Sequence, residues 1–157
     1  MLFLGEYDYT IDAKQRLAIP AEVRDVLNPE IHGAAFIAAP GGNGSLWLWP
    51  EKTFERLSTE FDSSLLGDDQ LDDFERLMFS QAARVPLDSA GRVRLPARLL
   101  TQYGVKDAIK VLGVRDHLEL VDPVEWEAER KRLEPAKEEM IKSARRTMAD
   151  RRRKLDQ

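Results

Sequence analysis

The sequence predicts an α+β fold built from a duplicated hairpin–helix–hairpin unit, flanked by helices and ending in a charged helix. Three observations predict it. The stretch "DAKQRLAIPAEV" at residues 12–23 is echoed by "DSAGRVRLPARL" at residues 88–99, an offset of 76. Each echo is framed by short runs rich in β-branched and aromatic residues. Apolar residues at helical spacing lie between and after the copies. Asp12, Arg16, Leu17 and Pro20 align with Asp88, Arg92, Val93 and Pro96, and Ile11 aligns with Leu87. Further on, "LWLWPEKTF" corresponds to "LELVDPVEW" at an offset of 72, because the first copy has the longer loop, "PGGNG" against "GVRD". Two copies are too few for a solenoid, so the units are expected to close into a single two-fold body.

The elements follow in order. "EYDYTID" and "ARVPLD" read as strands. "DSAG" is turn chemistry, with Asp opening the turn and Gly supplying a left-handed position. "RLAIP" and "RVRLP" return as strands. Leu17 and Ile19, like Val93 and Leu95, fall on one face, while Arg16, Arg92 and Arg94 fall on the other. Pro20 and Pro96 suit the first turn of short helices in "AEVRDVL" and "ARLLTQY". "AAFIAAP", "SLWLWP", "DAIKVLG" and "HLELVD" are further strands. "PEKTFERLSTEF", "DQLDDFERLMF" and "PVEWEAERKRL" are helices, and the segment from "EPAKEEM" onward is a long charged helix expected to fray toward its end. The divisions are a first unit with its following helix at 1–66, a helical connector at 67–80, a second unit with its helix at 81–134, and a charged tail at 135–157.

At 157 residues and 43% hydrophobic content, the chain can form one domain, or two very small ones that share a core. It has no cysteine, which excludes disulfides, thiolate metal sites and cysteine nucleophiles. The start "MLFLGEYDY" lacks a basic leader and no apolar run reaches membrane-spanning length, so a cytoplasmic location without membrane contact is expected. The net charge of −4 conceals segregated signs. Residues 51–75 hold nine acids and two bases, whereas residues 141–157 hold seven bases and two acids. An acidic average does not exclude a basic face that touches DNA.

Two D-x-x-x-R hairpins, each running into a proline and a short helix, resemble the MraZ family of bacterial transcriptional regulators. Each unit resembles the AbrB-type swapped-hairpin module. The resemblance covers the chain to about residue 134. It implies a pseudo-two-fold β-barrel in one chain, assembled into ring-shaped homo-oligomers. It also implies a nucleoid-associated regulator, generally a repressor, that binds tandem short repeats in double-stranded DNA. Those repeats lie in the promoter of a division and cell-wall gene cluster that includes its own gene. The family's first motif has Gly before the Arg, as Gly91 stands before Arg92; here that place is Gln15.

The candidate DNA-binding residues are Arg16, Arg92, Lys14 and Arg94, with Asp12, Asp88 and Gly91 in support. Hairpin-tip arginines can reach phosphates or base edges. They can also pair within the chain, Asp12 with Arg16 and Asp88 with Arg92. The two readings are compatible, because an Asp can orient the Arg that touches DNA. Trp47, Trp49 and Trp126 are expected in core or subunit-interface packing. His32 and His117 have no companion ligands at metal spacing, and no metal or other cofactor is expected. "GGNG" lacks the Lys-Ser/Thr of a phosphate loop and reads as a hairpin loop. The "RRRK" run at 151–154 has three open readings: a non-specific DNA contact, a solvated end, or a partner for an acidic neighbour. An antitoxin-like interaction module is the alternative function. An enzyme acting on a small molecule lacks any nucleophile–His pairing or cofactor fingerprint to support it.

Overall fold

A computed structural model describes residues 1–60 and 69–157. The end of the helix predicted through Phe61, and the expected boundary between residues 66 and 67, lie outside the described residues. The chain divides into two compact units, Met1–Pro123 and Val124–Gln157.

Among the described residues the first unit holds every strand: β1 Glu6–Thr10, β2 Arg16–Ala18, β3 Ala35–Pro40, β4 Leu46–Pro50, β5 Ala83–Pro86, β6 Arg92–Arg94, β7 Ala108–Val114 and β8 His117–Val121. Its helices are α1 Ala21–Asp25, α2 Pro29–His32, α3 Glu51–Ser58, α4 Asp69–Gln81 and α5 Ala97–Gln102. The one-turn α2 was not anticipated. Asn28 caps it, its side chain accepting from the Glu30 N–H at 2.9 Å, with Pro29 following the cap. The second unit carries α6 Pro123–Leu133, a single 3₁₀ turn Glu134–Ala136, and α7 Lys137–Leu155. Helix α7 continues to Leu155, with acids in its first turn, bases in its last, and an Arg146–Glu139 pair at 3.1 Å.

All strand pairing is antiparallel, in a six-stranded sheet ordered β1-β7-β8-β4-β3-β5 and a separate two-stranded ribbon of β2 and β6. This corrects the expected closed barrel. Among the described residues the large sheet ends at β1 and β5, which do not pair with each other, so the hydrogen-bond ladder does not close. Within the ribbon the pairing runs between the copies. Each D-x-x-x-R turn is closed locally, but its returning strand pairs with the other copy's returning strand. The backbone N–H of Ile19 donates to the Gly91 carbonyl and that of Leu95 to the Gln15 carbonyl, both at 2.9 Å.

The sequence repeat is visible in this topology. Exchanging β1 with β5, β7 with β3 and β8 with β4 leaves the strand order unchanged when read from the opposite end. In the ribbon, Leu17 pairs with Val93, its own repeat equivalent. In the sheet, Trp47 pairs with Glu119, again its own equivalent. Both pairs therefore lie where a two-fold relation between the copies maps each onto itself.

The core follows from strand alternation. Leu17, Ile19, Val93 and Leu95 point inward from the ribbon and are buried with Phe36, Leu46, Leu48, Leu118 and Leu120 of the sheet. Val23 of α1 and Leu99 of α5 complete the cluster. Each of these helices starts immediately after its proline, at Ala21 and Ala97. Pro20 and Pro96 hold φ of −51° and −59° at the cap, and their carbonyls accept the first helical N–H groups. Trp47 and Trp49 are not core residues. Half-buried, they stack on the buried His117, with ring centroids at 4.2 and 4.4 Å. The imidazole nitrogens also face Asp116 at 3.0 Å and Glu119 at 3.1 Å.

Because Leu17 is fully buried where the two copies meet, Leu17→Ala should destabilise the chain by about 2–5 kcal/mol. Chemical denaturation checks this. A loss below about 1 kcal/mol would show that the ribbon is not anchored in the core.

Candidate nucleic-acid interface

The two tips are built by the same hydrogen bonds. In the first, one Asp12 carboxylate oxygen accepts from the N–H groups of Lys14 and Arg16, both at 2.9 Å. The other accepts from Arg16 Nε at 2.7 Å. In the second, Asp88 accepts from the N–H groups of Ala90 and Arg92 at 2.9 Å, and from Arg92 Nε at 3.0 Å. The Asp N–H donates to the Arg carbonyl in both tips, at 3.1 and 2.8 Å. One carboxylate oxygen thus fastens the turn and the other orients the guanidinium. The spacing D-x-x-x-R is the distance around that turn, so an Asp at any other position could not do both.

The pairing uses only Nε. Among the described residues, the Nη groups of Arg16 and Arg92 and the side-chain nitrogens of Lys14 and Arg94 have no hydrogen-bond partner. Arg16 and Arg92 are about one-third exposed, and Lys14 and Arg94 are exposed. Arg16 stands directly opposite Arg94 on the ribbon, and Ala18 opposite Arg92. Like charges directly across a ladder destabilise it. Leu17 and Val93 take the inner face, so the arginines share the outer one. The result is a small platform of cations, with the Nη groups of Arg16 and Arg92, the Arg94 guanidinium and the Lys14 amine left over from pairing within the described residues.

The same contacts set the acidity of the two carboxyls. The backbone N–H of Arg16 lowers Asp12 below the ordinary carboxylate value, more than partial burial raises it; the Arg16 side chain and the Lys14 N–H add to the lowering. Asp88 is lowered in the same way, first by the backbone N–H of Arg92, then by its side chain and by Ala90.

The departure at residue 15 has a structural outcome. Gln15 adopts φ of +64° and Gly91 φ of +76°, so both tips use a left-handed residue before the Arg. A non-glycine side chain is strained there. Trp126, on α6, is half-buried, and the "RRRK" run lies exposed in the last turns of α7. Among the described residues no group of His and acidic side chains could hold a metal ion, and no helix is long and apolar enough to cross a membrane. The sequence reading missed the Trp47–His117–Trp49 stack, because a lone histidine between tryptophans carries no spacing signal. It also missed Arg24, whose guanidinium lies against Gly91.

The paired basic tips sit on a duplicated α+β scaffold, and known proteins share its sequence. The family model described as "MraZ protein, putative antitoxin-like" matches twice, over residues 2–76 and 78–151. A protein of Roseiflexus sp. (strain RS-1) named "Transcriptional regulator MraZ" is 34% identical over 126 residues, covering 80% of this chain and 85% of that relative. A protein of the same name from Symbiobacterium thermophilum is 35% identical, covering 81% and 85%. One from Heliobacterium modesticaldum is 29% identical over 139 residues, covering 88% and 94%. The chain belongs to the MraZ family.

Two expectations follow. Gln15→Gly should be neutral or stabilising and Gly91→Gln destabilising, by about 1 kcal/mol. Thermal melts decide, and a Gly91→Gln melt equal to wild type contradicts the turn analysis. The depressed carboxyls also set a sign. Folded values below the unfolded ones stabilise the tips above the ordinary Asp range, and that stabilisation disappears as pH falls through the folded values. The stability difference between wild type and the double variant Asp12→Ala/Asp88→Ala should therefore shrink on acidification from about pH 5 to pH 2. A difference that stays constant across that range in urea titrations counts against the carboxylate's role.

Proposed function

We propose that the chain is a sequence-specific DNA-binding transcriptional regulator that engages double-stranded DNA through the tips 12–16 and 88–94. The observation that carries this reading is the Arg16–Arg94 cross-strand pair. It sits between two tips whose arginines are oriented by Asp12 and Asp88 with their Nη groups left over. A ladder that places two guanidinium groups opposite each other gains stability when a polyanion lies across them. Guanidinium groups offer paired donors to phosphates and to guanine edges. In this reading the two halves act as AbrB-like modules within one chain. The target is a set of tandem short repeats upstream of a division and cell-wall gene cluster, including the chain's own gene, and the effect is repression. The names of the relatives support regulation of transcription. The site of action is the nucleoid in the cytoplasm, and no catalysis is involved.

The family description favours a second reading, an antitoxin-like interaction module. Co-purification of a small toxin that binds through another surface would support it over the first.

Assembly belongs to the same proposal. Tandem repeats call for several copies presented side by side, and a head-to-tail contact between unlike faces closes into a ring when the rotation allows it. The acidic segment 51–75 and the basic segment 141–157 are opposite in charge. Linked tips gain by effective concentration, because the second contact is intramolecular once the first has formed.

Arg16→Ala and Arg92→Ala should each weaken binding to the upstream DNA while leaving the fold intact. Loss of a phosphate contact lowers the salt slope by about 0.9 per contact. Loss of a base contact costs about 1–3 kcal/mol of discrimination. Fluorescence anisotropy at several salt concentrations reads both, and wild-type binding by both variants would refute the site. Light scattering coupled to size exclusion should give a cyclic oligomer of more than two chains that binds several repeats more tightly than one. A monomer with no preference for multiple repeats would contradict the assembly.

A further inference from the structure

The two tips carry the same left-handed backbone but different residues on it, Gln15 in the first and Gly91 in the second. Backbone conformation alone does not distinguish the two tips, since Gln15 adopts it at the cost of some strain. The space above Gly91 does. A Cβ at Gly91 would come within 2.7 Å of Arg24 Cζ and Nη1, and 2.8 Å of Cδ. Arg24 belongs to α1 of the first copy, yet its guanidinium rests on the tip of the second. Its Nε donates to the Ile19 carbonyl at 3.1 Å, which holds the side chain in place. The repeat equivalent of Arg24 is Leu100, a half-buried core neighbour, so the first tip receives no such cation. Among the described residues Arg24 forms no ion pair, and its Nη groups have no hydrogen-bond partner.

We propose that Arg24 is a further DNA-contacting residue, delivered by α1 to the second tip and seated on Gly91, so that the two tips of one chain bind DNA unequally. The second tip presents Arg24 beside Arg92 and Arg94, while the first presents Lys14 and Arg16. A cation held against the backbone and left without an acidic partner, next to other cations, gains by meeting a phosphate or a base acceptor. Gly91 then has a role beyond its φ: it leaves the room in which the guanidinium lies. This inference rests on the tips being the DNA interface.

The test uses the full chain and a fluorescein-labelled duplex of the region upstream of its own gene. Arg24→Gln keeps the stem and an N–H donor toward Ile19 but removes the charge. It should melt like wild type, bind about tenfold more weakly at moderate salt, and show a salt slope reduced by about 0.9 for each chain engaged. Gly91→Ala should weaken binding to a similar extent by displacing the guanidinium, and should add nothing further in the Arg24→Gln background. If Arg92→Ala weakens binding while Arg24→Gln does not, the assignment of Arg24 is wrong and the interface stands. If Arg24→Gln lowers the melting temperature with an unchanged salt slope, Arg24 is only structural. Additive losses from Gly91→Ala and Arg24→Gln would refute the seating. If Arg24→Gln, Arg16→Ala and Arg92→Ala all bind like wild type, the inference falls with the interface.

Discussion

The structure depends on an exchange of strands. Residues 16–18 and 92–94 are too short to be stable as local hairpin arms, and each finds its partner in the other copy. The Ile19–Gly91 and Leu95–Gln15 hydrogen bonds bracket the exchange, and Leu17 against Val93 seals its inner side. Everything proposed about function follows from this constraint. Pairing the two return strands places both D-x-x-x-R turns on one ribbon, and it brings Arg16 opposite Arg94. A chain with two independent hairpins would have two separate basic loops. This one has a single cationic platform whose inner face is part of the core.

That coupling ties the tips to the core from below. Asp12 and Asp88 fasten each turn with one oxygen and align an arginine with the other. The arginines are thus oriented before any ligand arrives, which reduces the side-chain entropy lost on binding. On the far side of the sheet, Trp47 and Glu119 occupy the other self-paired position, and His117 lies between the two tryptophans and two carboxylates. The copies have kept their backbone relation while their side chains diverged, as Gln15 against Gly91 and Arg24 against Leu100 also show.

Much of this was legible in the sequence. Alternation in "RLAIP" and "RVRLP" assigned the buried and exposed faces correctly, and the aligned Asp and Arg residues marked the tips. Apart from the swapped-hairpin resemblance, the residue pattern did not specify the partner of each return strand, because a three-residue strand with one inward side chain fits either its own hairpin or its copy's. The open sheet was missed for the same reason: closure depends on long-range pairing at β1 and β5, which local pattern does not encode. Trp47 and Trp49 alternate with Leu46 and Leu48, and the pattern alone could not say that the aromatic side is the outer one, stacked on a histidine. Arg24 reads in the sequence as one more charge on a solvated helix. Its position over Gly91 appears only once α1 of one copy is set beside the tip of the other.

The central claim is that the exchanged ribbon and its two tips are the surface that meets DNA. Hydrogen–deuterium exchange of the full chain, with and without the upstream duplex, tests it most directly. The account predicts new protection concentrated in residues 12–18 and 88–94, with little change in the Trp47–Glu119 region of the sheet. Protection confined to the tryptophan face or to α7, with the tips exchanging as in the free protein, would contradict it.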